Sequence, residues 1–350
     1  MSNTIRINLA LQGGGAHGAF TWGVLDRLLE EEDIEIEGIT ATSAGAMNAA
    51  ALKYGWLVGG NQGARTKLDA FWEEISAHTV LPNDLIQGWL MPLLPDPAQY
   101  SRMLERSAGY MAIDAASRMF SPYEVNPLGI HPLRPVVRKM LDFDKVCAHA
   151  GPKLFVSATN VRTGKIKVFS GDEISVDSLL ASACLPTLYQ AIEIEDPETG
   201  RIEAYWDGGY MGNPALFPLF YETKTRDILI VHINPTHREE IPRSAMQIMN
   251  RVNEISFNSS LLRELRAIDF VRRLIEDGLV QKGTMKDVLI HSINDDELMN
   301  SLGIATKLTP DRNFLLNLKE AGRTRMDAFL GKHRADLGQR GTVDLRSMFG

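Results

Sequence analysis

The first 54 residues place two short apolar strands around a helix, and this pattern constrains the fold more than any other feature. Ile5–Leu11 has the character of a buried strand, and Ile39–Thr42 forms a second one. Between them, Phe20–Glu31 carries apolar residues at helical spacing, and the alanine-rich Gly45–Tyr54 forms a second helix. This order predicts parallel strands joined by a right-handed crossover, which is typical of α/β proteins.

The rest of the chain extends this pattern and interrupts it once. Residues from about 80 to 132 contain clustered prolines, which break any regular period, so we expect a cap of loops and short helices there. Long helices are predicted near 246–275 and 313–330. Further strands are predicted over Leu154–Ala158, Lys165–Phe169, Ile192–Glu195, Ile202–Trp206, Ile228–Ile233 and Val288–Ile293. We therefore expect a three-layer α/β/α fold over 1–240 with a mostly parallel central sheet, and a mainly helical extension over 241–350 packed on the same domain.

Charge and cysteine content argue against several classes of function. The 350-residue chain has a formal net charge of −7, so its overall charge does not favour a nucleic-acid partner. Cys147 and Cys184 lie far apart without CxxC spacing, which predicts neither a disulfide framework nor a zinc site. The N-terminal residues lack the pattern of a signal peptide, and no apolar run approaches the ~18 residues that span a bilayer. We expect a cytoplasmic protein, and association with the periphery of a membrane is compatible with these features.

A glycine-rich turn, Gly13–Gly18, follows the first strand and precedes the first helix. Such a turn presents several backbone N–H groups at a helix N-terminus, where they bind negative charge. The turn also matches the GxGxxG fingerprint of dinucleotide-binding proteins, which requires an acidic residue at the end of the next strand. Glu35 and Glu37 fall before that strand, and Thr42-Ser43 stands at its end. On this motif alone, a dinucleotide site and an oxyanion-binding turn both remain open.

The second motif, Ala41-Thr42-Ser43-Ala44-Gly45, joins the second strand to the following helix. A serine at such a junction, flanked by small residues, is typical of a nucleophile elbow, in which a sharp turn exposes the hydroxyl. The usual form is GxSxG, and here Ala41 replaces the first glycine. An isolated motif of this kind is equally compatible with Ser43 acting only as the N-cap of the helix.

Together the two motifs are more informative, because adjacent parallel strands end at the same edge of a sheet. The glycine turn and Ser43 each follow one strand of the same crossover, so we expect them to meet. Acyl transfer requires this pairing of a nucleophile with backbone donors about 3 Å from the developing oxyanion. The predicted nucleophile is Ser43, and the predicted oxyanion hole consists of the N–H groups of Gly13, Gly14, Gly15 and Ala44.

A serine hydroxyl needs a base, and Asp207 is the candidate. The segment Asp207-Gly208-Gly209 follows a predicted strand, so this carboxylate also leaves a strand end at a tight turn. A lone Asp-Gly pair is usually an ordinary turn. A Ser-Asp-His triad would require a histidine after Asp207, and His232 and His237 follow a strand. The triad is disfavoured because only one strand precedes the glycine turn, whereas a conventional α/β-hydrolase places several before its nucleophile.

Four segments occur in a characteristic order: GGGAHG at 13–18, ATSAG at 41–45, ASACLP at 181–186 and YWDGGYMGNP at 205–214. With these segments the sequence resembles the patatin-like phospholipase family, specifically its bacterial members, over about residues 5–220. The resemblance implies a patatin-like fold, a dyad of Ser43 and Asp207, and the glycine turn as oxyanion hole. It implies a supporting role in these motifs for Gly18, Ala41, Gly45, Gly208 and Gly209.

The resemblance further implies hydrolysis of fatty-acyl esters of a lipid or lipid-like substrate, with no metal or cofactor. A transient contact with a membrane surface is compatible with such a substrate. His17 stands where bacterial relatives often carry lysine or arginine, and this departure bears on the choice of lipid headgroup. Two alternatives stay open: a dinucleotide-binding protein that uses Gly13–Gly18, and a non-catalytic scaffold with the patatin shape.

Overall fold

The computed structural model describes residues 4–77, 97–197, 199–239, 241–243, 245–281 and 283–349, and eight strands within these ranges form one mixed sheet. The strands are β1 (Ile5–Leu11), β2 (Ile34–Ala41), β3 (Lys153–Asn160), β4 (Ile166–Ser170), β5 (Ile192–Asp196), β6 (Arg201–Asp207), β7 (Asp227–Val231) and β8 (Leu289–Ile293). Their order is β5-β6-β3-β2-β1-β7-β8, and β4 pairs with β3.

Five of these strands form the parallel part of the sheet. They run β3-β2-β1-β7-β8, while β4, β5 and β6 are antiparallel to their neighbours. Leu11, the last residue of β1, pairs with Ala41 of β2 on one side and with Val231 of β7 on the other. The three central strands therefore end at one edge of the sheet, as the sequence predicts for the glycine turn and Ser43.

Helices cover both faces of the sheet. They are α1 (Gly18–Leu28), α2 (Ala44–Ala77), α3 (Pro97–Glu105), α4 (Ala108–Met119), α5 (Pro122–Val125), α6 (Leu133–Met140), α7 (Phe143–Val146), α8 (Val176–Ser182), α9 (Phe217–Glu222), α10 (Ala245–Glu276), α11 (Asp296–Ser301), α12 (Ile304–Leu308), α13 (Arg312–His333) and α14 (Leu345–Phe349). Short 3₁₀ helices span Gly15–His17, Gly171–Glu173, Gly208–Tyr210 and Arg334–Asp336.

The alternation of side chains along the strands divides the core into two layers. Leu229 and Val231 of β7 point to the larger core, which includes residues of α1, α2, α8 and α13. Ile228 and Ile230 point to the opposite face, where they meet residues of α9, α10 and α14. Because successive residues of a strand face opposite sides, a fully apolar strand must be covered on both. The predicted three-layer α/β/α arrangement is confirmed.

The predicted elements agree with the structure except at their ends. The strand over Ile5–Leu11 is confirmed without change, whereas β2 begins at Ile34 rather than Ile39. The charged Glu35 and Glu37 interrupt the apolar pattern, so the sequence does not predict this extension. In the structure, Ile34 pairs with Ile5 and Glu35 pairs with Arg6. The segment α2 consists of two helical parts that join at Gly59 and Gly60, where the dihedral angles are not helical. The second part runs to Ala77 and packs back against the first, since Trp72 Nε1 donates to Asn48 Oδ1 at 2.8 Å.

The cap and the C-terminal extension are described in part. Residues 97–132 of the predicted cap form α3, α4 and α5, which are short helices as expected. The remainder of the cap, including the apolar run Trp89–Leu94, lies outside the described residues. Strand β8 and helix α13 come from residues 241–350; β8 pairs with β7, and α13 packs along α1. These contacts support the proposal that the extension packs on the same domain. Among the helices that the structure describes, none combines the length and the apolar character that crossing a bilayer requires.

Candidate active site

Ser43 lies in a sharp turn between β2 and α2. Its φ angle is 54°, and it is the one residue other than glycine with a positive φ in the described part of the chain. The turn is held by backbone bonds on both sides: the Thr42 N–H donates to the Leu11 carbonyl at 3.2 Å, and the Met47 N–H donates to the Ser43 carbonyl at 3.1 Å. A non-glycine residue keeps this conformation only where the surrounding structure imposes it, and such residues cluster at functional sites.

Asp207 is the last residue of β6 and is almost fully buried. Its Oδ1 accepts a hydrogen bond from the Gly209 N–H at 2.7 Å, and its carboxyl also interacts by a side-chain hydrogen bond with Ser43. Burial raises the pKa of Asp207 from 3.8 to about 7, and these two hydrogen bonds oppose the shift without cancelling it. A carboxylate with this pKa takes and releases a proton near neutral pH.

The segment that ends α8 contacts both Ser43 and Asp207. The Ser43 N–H donates to the hydroxyl of Ser182 at 2.8 Å. Two residues later, the Cys184 carbonyl accepts the Asp207 N–H at 2.8 Å. Burial raises the pKa of the Cys184 thiol to about 12, so this side chain stays protonated and packs as part of the wall.

The glycine turn packs directly against Ser43. A Cβ atom on Gly13 would lie 2.6 Å from Ser43 Cβ and 2.9 Å from the Thr42 carbonyl oxygen, so only glycine allows this approach. Gly15 has a φ of 60°, which favours glycine. The Gly13 N–H donates to Asn213 Oδ1 at 2.7 Å and is therefore already occupied. The other three predicted oxyanion donors are the N–H groups of Gly14, Gly15 and Ala44. None of them donates a hydrogen bond to another described residue, so they remain open to an oxyanion.

A buried network of side-chain amides holds the glycine turn in place. Gln12 donates to the Asn213 carbonyl at 3.2 Å and to Asn258 Oδ1 at 3.3 Å, and its Oε1 accepts the Asn234 N–H at 3.0 Å. Asn234 donates in turn to the Gly13 carbonyl at 2.7 Å. These bonds join Gln12, Asn234 and Asn258 to the backbone around the turn and restrict its conformation, although the Nδ2 of Asn213 has no hydrogen-bond partner among the described residues.

The remaining motif residues lie at close contacts around this edge. The Ala41 methyl is completely buried in the core, so its replacement of glycine is accommodated without distorting β2. At four further positions an added Cβ would come within 3 Å of neighbouring atoms, which belong to Ala44, to the Leu11 backbone, to the Ser157 backbone and to the Phe257 ring. These positions are Gly18, Gly45, Gly208 and Gly209.

Ser43, Asp207, Gly14 and Gly15 line one cavity of about 450 Å³. One part of its wall is apolar and aromatic, with side chains from α10, from the segment after Ser182 and from the region before α12. A second part is charged and comes from α3, which contributes Arg102 and Glu105, and from the C-terminal half of the chain. The apolar lining residues include Leu185, Leu188, Tyr210, Phe257 and Leu302, and the charged ones include Arg238, Arg251, Glu254 and Lys307.

Neither of the histidines considered for a triad, nor any other described histidine, lines this cavity. His232 is buried, and burial lowers its pKa to about 4. His237 is exposed and contacts Glu239 at 3.1 Å. The structure therefore brings Ser43 and Asp207 together without either of the histidines that a triad would need.

His17 is buried against Thr306, whose hydroxyl lies 2.8 Å from its Nε2. The Thr306 hydroxyl donates its proton to the Gly303 carbonyl at 2.7 Å, so His17 Nε2 must carry the proton of their shared hydrogen bond. Burial and, secondarily, the charges of Lys307 and Arg238 lower the pKa of His17 well below 6.5. Position 17 therefore holds a neutral side chain.

The acidic residues that a dinucleotide site would need are engaged elsewhere. Glu35 forms an ion pair with Arg6 at 2.9 Å. Glu37 accepts the backbone N–H groups of Lys224 and Thr225 at 2.7 and 2.8 Å. Neither carboxylate reaches the edge of the sheet at which Gly13–Gly18 lies, since β2 ends four residues beyond Glu37.

A family model of patatin-like phospholipases matches residues 9–220, and the match includes the glycine turn, Ser43 and Asp207. The chain belongs to this family. A search of the curated proteins finds no match. Among solved structures, this patatin-like protein is similar to VipD from Legionella pneumophila, with 16% identity, a TM-score of 0.39, and 93% of this chain and 67% of that chain covered. It is also similar to the ExoU–SpcU complex of the type III secretion system of Pseudomonas aeruginosa, with 14% identity, a TM-score of 0.35, and 95% of this chain and 52% of that chain covered.

The sequence alone did not predict several residues of this patatin-like site. Ser182 and Asn213 lie inside motifs that were recognised, but nothing in the motifs assigns them a contact with Ser43 or Gly13. Gln12, Asn234 and Lys307 carry no local signal, because each acts through a partner far away in the chain. Four of the charged lining residues lie beyond the residues that the family model matches, namely Arg238, Arg251, Glu254 and Lys307.

Proposed function

We propose that the protein hydrolyses carboxylic esters of lipids through an acyl-enzyme on Ser43, with Asp207 as the base. One observation carries this proposal. Ser43 occupies a forced turn beside the glycine-rich turn, and its side chain contacts a buried carboxyl whose pKa is about 7. Family membership supports lipid hydrolysis in general, and this geometry supports the specific roles.

In the acylation step, ionised Asp207 accepts the proton of the Ser43 hydroxyl while Oγ attacks the ester carbonyl carbon. The carbonyl oxygen takes the electron pair of its π bond and becomes an oxyanion. The tetrahedral intermediate then collapses, the bond to the alcohol breaks, and protonated Asp207 returns its proton to the leaving oxygen. In the deacylation step, a water molecule gives its proton to Asp207 and attacks the acyl carbon, and Ser43 leaves with the proton from Asp207.

The backbone donors proposed for the oxyanion are the N–H groups of Gly14, Gly15 and Ala44. Gly13 is excluded from the set proposed from sequence, because its N–H already donates to Asn213. Its role is instead to allow the close approach of the turn to Ser43. Donors fixed in advance by the amide network cost no reorganisation when the charge develops, and such stabilisation is usually the largest catalytic contribution.

A lipid substrate is supported by the cavity and by its surroundings. Its apolar wall suits a fatty-acyl chain, since binding sites for apolar ligands are mostly apolar with a few placed polar groups. Helix α4 contributes Tyr110 to the cavity and leaves Met111 and Met119 exposed, and Met249 of α10 both lines the cavity and is exposed. Exposed apolar residues beside the opening support a transient contact with a membrane surface, at which a cytoplasmic enzyme would meet its substrate.

Labelling with a fluorophosphonate probe tests the proposal, because the probe reacts only with an activated serine beside an oxyanion hole. We expect the wild-type protein to be labelled and to hydrolyse a soluble short-chain ester. The Ser43→Ala variant should lose both activities and keep the melting curve of the wild type. Labelling that persists in a folded Ser43→Ala protein would assign the nucleophile to another residue, and an unlabelled, inactive wild type would favour the scaffold alternative.

A further inference from the structure

We propose that Lys307 and the Arg238–Glu254–Arg251 cluster form a subsite for a phosphate group of the substrate, beside the glycine turn. This inference rests on the proposed function and extends it to the substrate headgroup. All four residues line the cavity that contains Ser43 and Asp207.

Lys307 is placed at the glycine turn by its backbone and by its side chain. Its carbonyl oxygen packs against the Cα of Gly15, so closely that an added Cβ there would clash. Its Nζ donates to Asn234 Oδ1 at 2.9 Å, and Asn234 Nδ2 donates to the Gly13 carbonyl at 2.7 Å. An anion bound to the Lys307 ammonium would therefore be connected to the glycine turn through two hydrogen bonds, from Lys307 to Asn234 and from Asn234 to Gly13.

The Lys307 ammonium has unused capacity for an anion. It has three N–H donors, and within the described ranges its one hydrogen-bond partner is the neutral Asn234, with no carboxylate in ion-pair contact. Burial lowers the pKa of this ammonium, although Glu254 raises it. Removing a cation from water without an anionic partner costs free energy, and an incoming phosphate would recover part of it.

The neighbouring charges add to this attraction. Arg238 binds Glu254 through two nitrogens at 2.8 and 2.6 Å, and Arg251 binds the same carboxylate at 3.2 Å. These contacts keep the pKa of Glu254 below its ordinary value despite its burial. Arg102 and Glu105 also line the cavity, so apart from Asp207 its wall carries four basic and two acidic side chains, an excess of positive charge in a chain whose net charge is −7. A cavity with an excess of one sign of charge concentrates ligands of the opposite sign.

Phosphate is the anion that fits this position and the proposed reaction. In a glycerophospholipid the phosphate and an acyl ester stand on neighbouring glycerol carbons, so both reach the turn when the ester carbonyl faces Ser43. A lysine serves as a point charge for phosphate, with donors that can turn toward its oxygens. Inorganic phosphate has the same chemistry, so the experiment must separate the two sources.

The test compares two soluble short-chain substrates with identical acyl chains, a phosphatidylglycerol and a diacylglycerol, in the wild type and in Lys307→Gln. We expect the ratio of their kcat/KM values to fall at least tenfold in Lys307→Gln. Asn234→Ala is the control, since it weakens the support of Gly13 while keeping the ammonium, and it should lower both activities in parallel. An equal loss on both substrates in Lys307→Gln would overturn the proposal and leave Lys307 as a support of the turn.

A second measurement is independent of turnover. Inorganic phosphate is titrated calorimetrically into Ser43→Ala and into Ser43→Ala with Lys307→Gln. Binding that weakens at least tenfold with the second change supports the subsite, and unchanged or undetectable binding together with an unchanged substrate ratio overturns it. Phosphate binding that depends on Lys307 without any change in the substrate ratio assigns the subsite to free phosphate rather than to a headgroup. An inactive wild type that still binds phosphate through Lys307 would contradict the proposed function alone.

Discussion

The backbone N–H of Ser43 donates a 2.8 Å hydrogen bond to the hydroxyl of Ser182, so the position of the nucleophile depends on a residue 139 positions later in the chain. The same short segment accepts the Asp207 N–H through the Cys184 carbonyl at 2.8 Å. Because Ser182 and Cys184 are separated by one residue, their spacing helps to set the distance between the proposed nucleophile and its proposed base. This makes Ser182 a positioning residue rather than a catalytic one.

Replacement of Ser182 by alanine should lower kcat by about 10- to 100-fold with little change in KM, since small displacements of reacting groups cost factors of this size. The buried Ser43 N–H would lose its acceptor, at a cost of roughly 1–3 kcal/mol in stability. Steady-state kinetics on a soluble ester give the two constants. Ser182→Thr retains the hydroxyl and should restore much of kcat, which a purely structural defect would not predict.

Ser178→Ala provides the matched control for this experiment. Ser178 lies on the same helix, four residues before Ser182, and its hydroxyl bonds to Ser175 in the capping box of α8. It should lower stability by about 1 kcal/mol without changing kcat. An equal effect of both substitutions on kcat would mean that α8 acts only through its folding.

The acid side of the pH–rate profile should report Asp207. Ionised Asp207 is the active form of the proposed base and its pKa is about 7, so kcat/KM should rise about tenfold per pH unit below that value and level off above it. An ester without titratable groups is the suitable substrate. Glu264→Gln is the control, because burial raises the pKa of Glu264 to about 7 as well, while its carboxylate binds the N–H groups of Leu216 and Phe217 away from the cavity. A profile that flattens in this variant would assign the pKa to Glu264.

The sequence predicts the parts of this site that depend on local order. Strand ends, glycine turns and the junction of strand and helix place Ser43 and Asp207 at one edge, and the structure brings them into contact. Ser182, Asn234 and Lys307 could not be predicted, because their roles arise from partners 73 to 221 residues away. No spacing rule connects such positions, and only the folded arrangement of β7, α8 and α12 reveals them.

A similar limit applies to the ends of elements. The start of β2 was missed because its acidic residues alternate with isoleucines and are stabilised by partners on other segments, Arg6 for Glu35 and the backbone after α9 for Glu37. The helical residues after Tyr54 were missed because Gly59 and Gly60 end one helix and reverse the chain, and the second helix is held by contacts with the first, such as the hydrogen bond from Trp72 to Asn48. Tertiary contacts decide such boundaries more than intrinsic propensity does.

Gly13→Ala should reduce activity by about 100-fold or more while the protein remains folded. The added methyl would lie 2.6 Å from Ser43 Cβ, so either the turn or the nucleophile must move, and a shift near 1 Å has an effect of about this size. Gly331→Ala is the matched control, because Gly331 lies within helix α13 and its Cβ would meet nothing within 4 Å. Probe labelling rates compare the two variants, and equal rates would remove Gly13 from the site.

Replacement of Asp207 by asparagine removes the charge of the proposed base and keeps the size and shape of the side chain. The amide fills the same space and its oxygen can still accept the Gly209 N–H, but it cannot take the proton of Ser43, so most turnover should be lost.

The replacement of Asp207 by asparagine should also stabilise the protein in a pH-dependent way. The carboxyl of Asp207 has a pKa of about 7 in the folded state and an ordinary value of 3.8, so folding favours its protonated form. The wild type therefore loses stability as the pH rises from about 4 to 7, and the neutral asparagine does not.

Between pH 5 and pH 8, the difference in unfolding free energy between Asp207→Asn and the wild type should increase by roughly 2.7 kcal/mol in favour of the variant, at about 1.4 kcal/mol per pKa unit. Urea unfolding at the two pH values measures this difference, and Glu264 contributes equally to both proteins and cancels. A difference that stays constant with pH would show that Asp207 does not hold its proton near neutrality. In that case a lone carboxylate would be a weak base at this position, and the proposed mechanism would need another group to accept the proton of Ser43.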